Sequence, residues 1–303
     1  NNMAYSYLES STYGKDNVKF LKVKKDPQNP KKHEVMEATV KVLLKGAFET
    51  SYTEADNASI VPTDTVKNTI LIHAKKCDTF PIEKFAAELA LHFTAKYEQV
   101  HGVTIKIIQD KWVKYEDHSF VLESPEKKVC TLDYDLVNGP QVYQMSTILK
   151  DLTVLKSTNS MFYGYNKCDY TTLKPTTDRV LSTDIMSTLD WNPTKLGSLV
   201  DIRKGLKDHI FNKTFGNTRD ITLKIFAEEN SPSVQATMYN MATEILKQNS
   251  ELEFVSYELP NKHYILFDLK WHHGLDNDNE LFYPSPHPNG LIKCRVGRNQ
   301  SKL

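Results

Sequence analysis

Alternation with a period of two dominates this chain. It predicts half-buried antiparallel strands, because successive side chains of a strand point to opposite faces. Met36, Ala38, Val40, Val42 and Leu44 share one face, with Glu37, Thr39 and Lys41 on the other. The same phase recurs at Val103-Ile105-Ile107, Cys130-Leu132-Tyr134-Leu136, Ile221-Leu223-Ile225 and Ile265-Phe267-Leu269-Trp271, each read as a strand face covering a core. Two stretches carry helical spacing instead. Residues 81–100 align Phe85, Leu89, Phe93, Tyr97 and Val100, and residues 232–248 align Val234, Met238, Met241 and Ile245. Pro81 follows Asp78 and Thr79, and Pro232 follows Ser231, so both prolines are expected in a first helical turn behind a capping residue. Such apolar stripes point to core packing rather than to cofactor contacts.

An internal match suggests duplication. The segments Thr63–Thr69 and Thr177–Thr183 share T-D-x-V-x-x-T, and each is expected to follow a strand hairpin and precede a long helix. The chain therefore reads as two tandem copies of strand-strand-helix-strand-strand, an α+β class with helices over antiparallel sheets. Boundaries are expected at 1–137 and 142–295, joined at the turn-forming Asn138-Gly139-Pro140, with 296–303 as a tail.

Charge narrows the range of partners. The 303 residues hold 38 Lys+Arg against 38 Asp+Glu, so no net field draws the molecule onto nucleic acid or an anionic membrane. No stretch approaches the ~20 apolar residues of a membrane span, and residues 1–20 lack an apolar leader core. These features predict an intracellular protein. The cysteines at 77, 130, 168 and 294 form no CxxC pair and are expected to be free, mostly buried thiols. GxGxxG, GxxxxGK, HExxH and GxSxG are all absent from the sequence, so a nucleotide loop or metal box is not expected. His272 and His273, adjacent in an expected strand, would face opposite ways and could not chelate one ion together. Ser301-Lys302-Leu303 matches the peroxisomal targeting tripeptide, which predicts a peroxisomal location, an import receptor as partner and a tilt toward O2 chemistry.

Four segments carry a resemblance that spans nearly the whole chain. They are Tyr13-Gly14-Lys15-Asp16-Asn17, Val154-Leu155-Lys156-Ser157-Thr158-Asn159-Ser160, Asn261-Lys262-His263-Tyr264 and Asn289-Gly290-Leu291-Ile292-Lys293-Cys294. In this order they resemble the urate oxidase (uricase) family, its yeast and fungal members in particular. The resemblance implies the tunnelling fold (T-fold): two tandem ββααββ-type units whose antiparallel sheets close a barrel on dimerisation, with helices outside. It further implies a homotetramer, a dimer of dimers, with active sites between subunits. The implied reaction is oxidation of urate by O2 and water to 5-hydroxyisourate and H2O2, without cofactor or metal.

The resemblance assigns roles residue by residue. Lys15, Thr63 and His263 form a proton relay, in which burial lowers the lysine pKa so that the amine takes a proton through the threonine hydroxyl. His263 shares its strand phase with Ile265 and Phe267, so its ring is expected on the covered side, two positions from Asn261 on the same face. Phe162 stacks on the flat purine, Arg179 holds its anionic edge as a planar fork, and Gln235 pairs with the opposite edge. The backbone N–H groups of Val234 and Asp64 reach the ligand, Leu173 and Ile292 line the walls, and Thr63 and Asn261 hold O2 and the attacking water. Thr63 and Asp64 would come from the neighbouring subunit. Two other readings stand beside this one, a pterin-handling T-fold enzyme and an inactive purine-binding module. The first lacks the N-K-H-Y and S-T-N-S-x-F segments, and the second is opposed by the presence of Lys15, Thr63 and His263 together.

Overall fold

The structure, a computed structural model, describes residues 5–299. The targeting tripeptide Ser301-Lys302-Leu303 lies outside the described residues. Among the described residues there are eight strands: β1 (Tyr13–Lys25), β2 (His33–Gly46), β3 (Val100–Tyr115), β4 (Ser119–Asp135), β5 (Gln141–Lys156), β6 (Leu181–Trp191), β7 (Leu252–Leu266) and β8 (Phe282–Gly297). The helices are α1 (Glu49–Thr53), α2 (Thr63–Lys76), α3 (Ile82–Lys96), α4 (Pro193–Leu196), α5 (Leu199–Arg203), α6 (Asp208–Glu228) and α7 (Val234–Gln248). The strands follow one another in chain order, each bonded to its sequence neighbours, and the longer helices come in pairs after β2 and after β6. This is the α+β order ββααββ, twice. The pairs β1/β2, β2/β3, β3/β4 and β7/β8 are antiparallel. Two compact units are distinguished, one made of residues 1–148 and 190–214 and the other of 149–189 and 215–303.

In the first unit, alternation becomes burial. Met36, Ala38, Val40, Val42 and Leu44 of β2 are at most 1% exposed, and Val103, Ile105, Ile107, Cys130 and Leu132 of β3 and β4 are equally covered. Phe85, Leu89 and Phe93 of α3 are fully buried, and α3 packs on β3 and β4. Burial of each such side chain contributes about 1.5–3 kcal/mol. One charged group sits inside this core. Glu83 is fully buried and accepts from Lys128 Nζ at 3.0 Å and from Thr147 Oγ1 at 2.8 Å, while Trp191 Nε1 donates to Thr147 Oγ1 at 3.0 Å. Each polar atom of that chain is thereby matched, as the low dielectric requires.

Several sequence expectations are corrected. The stripe read over 81–100 belongs to two elements, because α3 ends at Lys96, Tyr97 is extended and Val100 opens β3. Pro81 is itself the N-cap of α3, and Pro232 precedes the N-cap Ser233, whose hydroxyl accepts from Ala236 N; neither proline lies in a first turn. Ile221, Leu223 and Ile225 are in helix α6, not in a strand. Phe211, Thr214, Thr218, Thr222 and Phe226 lie on its buried side at spacings of three and four, with Ile221 beside them, and threonines at core positions hid the helical period. The two copies of T-D-x-V-x-x-T differ in structure: the first opens α2, whereas the second crosses a bend into β6.

The strand expected through Trp271 stops at Leu266, and Ile265, Phe267 and Trp271 are 54%, 41% and 79% exposed rather than facing a core. His272 and His273 stand in the following turn with ring centroids 4.8 Å apart, so a strand's alternation does not apply to them. Of the four thiols only Cys130 is buried, and Cys168 is exposed. No helix among the described residues is long and apolar enough to cross a membrane.

Candidate active site

The second unit builds a cleft around two serines. Ser160 and Ser231 are fully buried and form a bridge in which Met161 N donates to Ser231 O and Ser231 N to Asn159 O, both at 3.0 Å. Asn159 takes φ 64°, a left-handed conformation that asparagine tolerates, and this turns the chain after β5 back on itself. The bridge fixes three things at once. Phe162 pairs with Thr176 through two backbone bonds of 2.8 and 2.9 Å, Arg179 N donates to Ser160 O, and Ser231 leads directly into the start of α7.

Arg179 is held twice, since its Nε also donates to Ser160 Oγ at 3.0 Å. Its guanidinium lies over the Phe162 ring at 5.5 Å, and Phe162 in turn stacks on Tyr165 at 5.0 Å with 12° between planes. Burial pushes the Arg179 pKa down from its ordinary value, although guanidinium stays charged. Among the described residues no carboxylate pairs with it.

Phe162, Leu173, Arg179, Asn261 and His263 line one cleft of about 150 Å³. Lys174 and Lys262 also reach it, and no acidic residue contributes to the lining. Lys262 is answered from the side by Asp184 at 2.8 Å; burial would raise the Asp184 pKa, but the Lys262 bond, the Thr153 hydroxyl and the Lys262 charge together hold the carboxyl below its ordinary value. A wall of cations and amide with an aromatic face suits a flat anion. To a metal cation it offers a single imidazole, His263, and no carboxylate or thiolate.

Asn261 and His263 reach the cleft through an irregularity. Asn261 pairs with Gly290 and His263 with Ser285, with a register shift between them. A bulge of this kind re-aims side chains beside active sites. Asn261 is half-buried, but His263 is exposed in the single chain, which corrects the expectation of a covered ring.

The remaining second-unit residues lie outside this lining. Val234 is buried and borders a small apolar space of about 10 Å³ that it shares with Asn261, Leu181 and Thr183. Gln235 is exposed in the first turn of α7, where its backbone N–H and that of Val234 have no carbonyl behind them in the helix. Ile292 of β8 is half-buried and pairs with Leu259.

Lys15, Thr63 and Asp64 belong to the first unit. A register shift after Lys15, with Asn17 at φ 56°, breaks the β1/β2 pairing. Lys15 is half-buried, and Thr63 and Asp64 are exposed at the start of α2. Tyr13 ties the two segments together: its hydroxyl donates to Val61 O at 3.0 Å and accepts from Val61 N at 2.8 Å. Pro62 then caps α2. The Asp64 carboxyl is held below its ordinary value mainly by Lys67 at 2.7 Å, with Lys15 adding to the effect. Sequence reasoning gave no role to Ser160 or Tyr13, although both stand inside the quoted motifs, and read Ser231 only as a helix cap, a place that Ser233 takes.

A half-buried guanidinium, anchored through Nε and lying over an aromatic ring on a fold of paired ββααββ units, suits a flat anionic ligand. The chain belongs to the uricase family, whose profile matches residues 11–133 and 147–293. Uricase of Cyberlindnera jadinii is 64% identical over 299 residues, covering 97% of each chain, and uricase of Aspergillus flavus is 45% identical over 306 residues, covering 98% of this chain and 99% of that one. The crystal structure of uricase from Arthrobacter globiformis superposes with a TM-score of 0.86 at 33% identity, over 99% of this chain and 98% of the other.

Proposed function

We propose that this protein is a urate oxidase, converting urate, O2 and water to 5-hydroxyisourate and H2O2 without a cofactor. The observation that carries the reading is Arg179. It is fixed by Ser160, stacked on Phe162 and, among the described residues, without a carboxylate partner, in a cleft that also presents Asn261 and His263. Urate is flat, weakly acidic and edged with carbonyls and N–H groups. Phe162 would cover its face and Arg179 would take its charge, with Gln235 and the Val234 N–H on the opposite edge.

Lys15 would accept a proton through the Thr63 hydroxyl, with His263 completing the relay. The resulting dianion is electron-rich enough to reduce O2 directly. Asn261 and Thr63 would hold O2 and afterwards the water that adds to the oxidised ring as peroxide leaves. Protein contributes orientation, deprotonation and exclusion of bulk water. In this reading Thr63 and Asp64 act from a neighbouring subunit, the sheets of two subunits close a barrel, and two such dimers form a tetramer. The terminal Ser301-Lys302-Leu303 supports a peroxisomal site of action for a reaction that releases H2O2.

Metal-stripped protein mixed with urate in air provides the test. Loss of urate absorbance with stoichiometric H2O2 is expected; unchanged absorbance would end the proposal, and activity lost to chelators would replace it with a metal enzyme. Lys15→Ala and Thr63→Ala are expected to slow turnover far more than they weaken binding of a non-reacting purine analogue.

A further inference from the structure

Within the first unit, at the C-terminal end of α2 and facing α3, three different metal-ligating side chains converge. His73 and Cys77 are one helical turn apart, and Glu88 meets them from α3. His73 Nδ1 lies 3.1 Å from Glu88 Oε1, Cys77 Sγ lies 3.9 Å from His73 Nδ1, and all three donor atoms fall within 4.8 Å of one another. His73 and Glu88 are 19% and 16% exposed, so the group is recessed yet within reach of solvent.

We propose that His73, Cys77 and Glu88 form a binding site for a divalent borderline cation such as Zn2+, with a fourth position open to water. Tetrahedral zinc with bonds of roughly 2.0–2.3 Å to nitrogen, oxygen and sulfur places its ligand atoms roughly 3.3–3.6 Å apart. The observed separations bracket that range, so small side-chain rotations suffice. The donor set is also charge-matched: one thiolate and one carboxylate neutralise the dication, and the histidine is a neutral ligand. On binding, the Cys77 thiol proton leaves to solvent, and neutral His73 coordinates through Nδ1 with its single ring proton on Nε2.

The surroundings support the assignment. The His92 ring packs on His73 at 4.2 Å, and burial, then His73, push its pKa down, so it adds no positive charge. Two cations face the group. Arg203 approaches the other oxygen of Glu88, Oε2, at 3.9 Å from a position 43% exposed, and Lys22 Nζ donates to the Cys77 carbonyl. Both can keep those contacts while Glu88 Oε1 and Cys77 Sγ turn to the metal. The bound ion would clamp α2 to α3.

Zinc chloride titrated into the metal-stripped full chain, followed by calorimetry and thermal unfolding, tests this. One Zn2+ per chain is expected, with a midpoint that rises with Zn2+, and Co2+ should give thiolate charge-transfer absorption. Cys77→Ser and Glu88→Gln should each weaken binding at least about tenfold, the lower end of what loss of even an outer-shell partner costs; Cys168→Ser should leave it unchanged. No saturable Zn2+ binding, no thiolate absorption with Co2+ in the unmutated chain, equal affinity in Cys77→Ser, or loss of binding in Cys168→Ser would each overturn the proposal.

Discussion

Arg179 and Ser160 are joined by two hydrogen bonds, backbone N to backbone O and Nε to Oγ, both 3.0 Å. The backbone bond sets where the arginine leaves the chain, and the side-chain bond sets the plane of its guanidinium. Ser160→Ala removes only the second. A hydrogen bond to a charged group is worth about 1.5–3 kcal/mol, so kcat/KM for urate should fall about tenfold or more while the melting temperature moves little. Steady-state kinetics beside thermal unfolding checks this, and a large loss of stability with unchanged kinetics would contradict it.

Tyr13 and Val61 make the equivalent link in the first unit. Tyr13→Phe leaves both the N–H and the C=O of buried Val61 without that partner, at about 1–3 kcal/mol. It also frees the approach to Thr63. If Thr63 carries the proton, kcat should drop about 10- to 100-fold with little change in the affinity of a non-reacting analogue. Equal loss in both would show that Tyr13 only stabilises the fold.

Glu83 is fully buried against Lys128 and Thr147. Glu83→Gln removes the buried negative charge paired with Lys128, and breaking a buried pair of this kind costs about 3–5 kcal/mol. Denaturant unfolding should show that loss, whereas Glu83→Gln at near-wild-type stability would mean that the pair relaxes to water.

His92 predicts an acid-side loss of stability in metal-free protein. Its pKa is pushed below the ordinary 6.5, first by burial and then by His73. The unfolded chain therefore binds more protons than the folded one between the lowered value and 6.5. The histidine's contribution is fully present above 6.5 and is lost as pH falls toward the folded value. Melting temperature should decline below about pH 6.5, and His92→Gln should flatten that decline. An unchanged slope in the variant would assign the decline to other groups.

The cleft was legible residue by residue, but its framework was not. Phe162, Arg179, Asn261 and His263 were named through the resemblance that their motifs carry; taken singly, Phe162 reads as core and Arg179 as surface. Ser160 and Ser231 are small, common residues separated by a long stretch of chain, and only their pairing in space shows that they align Phe162, Arg179 and the start of α7. The bulge between Asn261 and His263 is likewise invisible to a pattern that assumes uninterrupted alternation.

By itself the sequence determined the buried faces of β2, β3 and β4, the apolar side of α7, the α+β class and the residue types of the cleft. These follow from period, polarity and short motifs, which are properties of neighbouring residues. Only the tertiary structure decided that 208–228 is a helix, that Ile265, Phe267 and Trp271 face solvent in the single chain, and that His73, Cys77 and Glu88 meet. The reason is physical: periodicity tells which side chains share a face of one element, but what covers that face depends on segments far away in the chain.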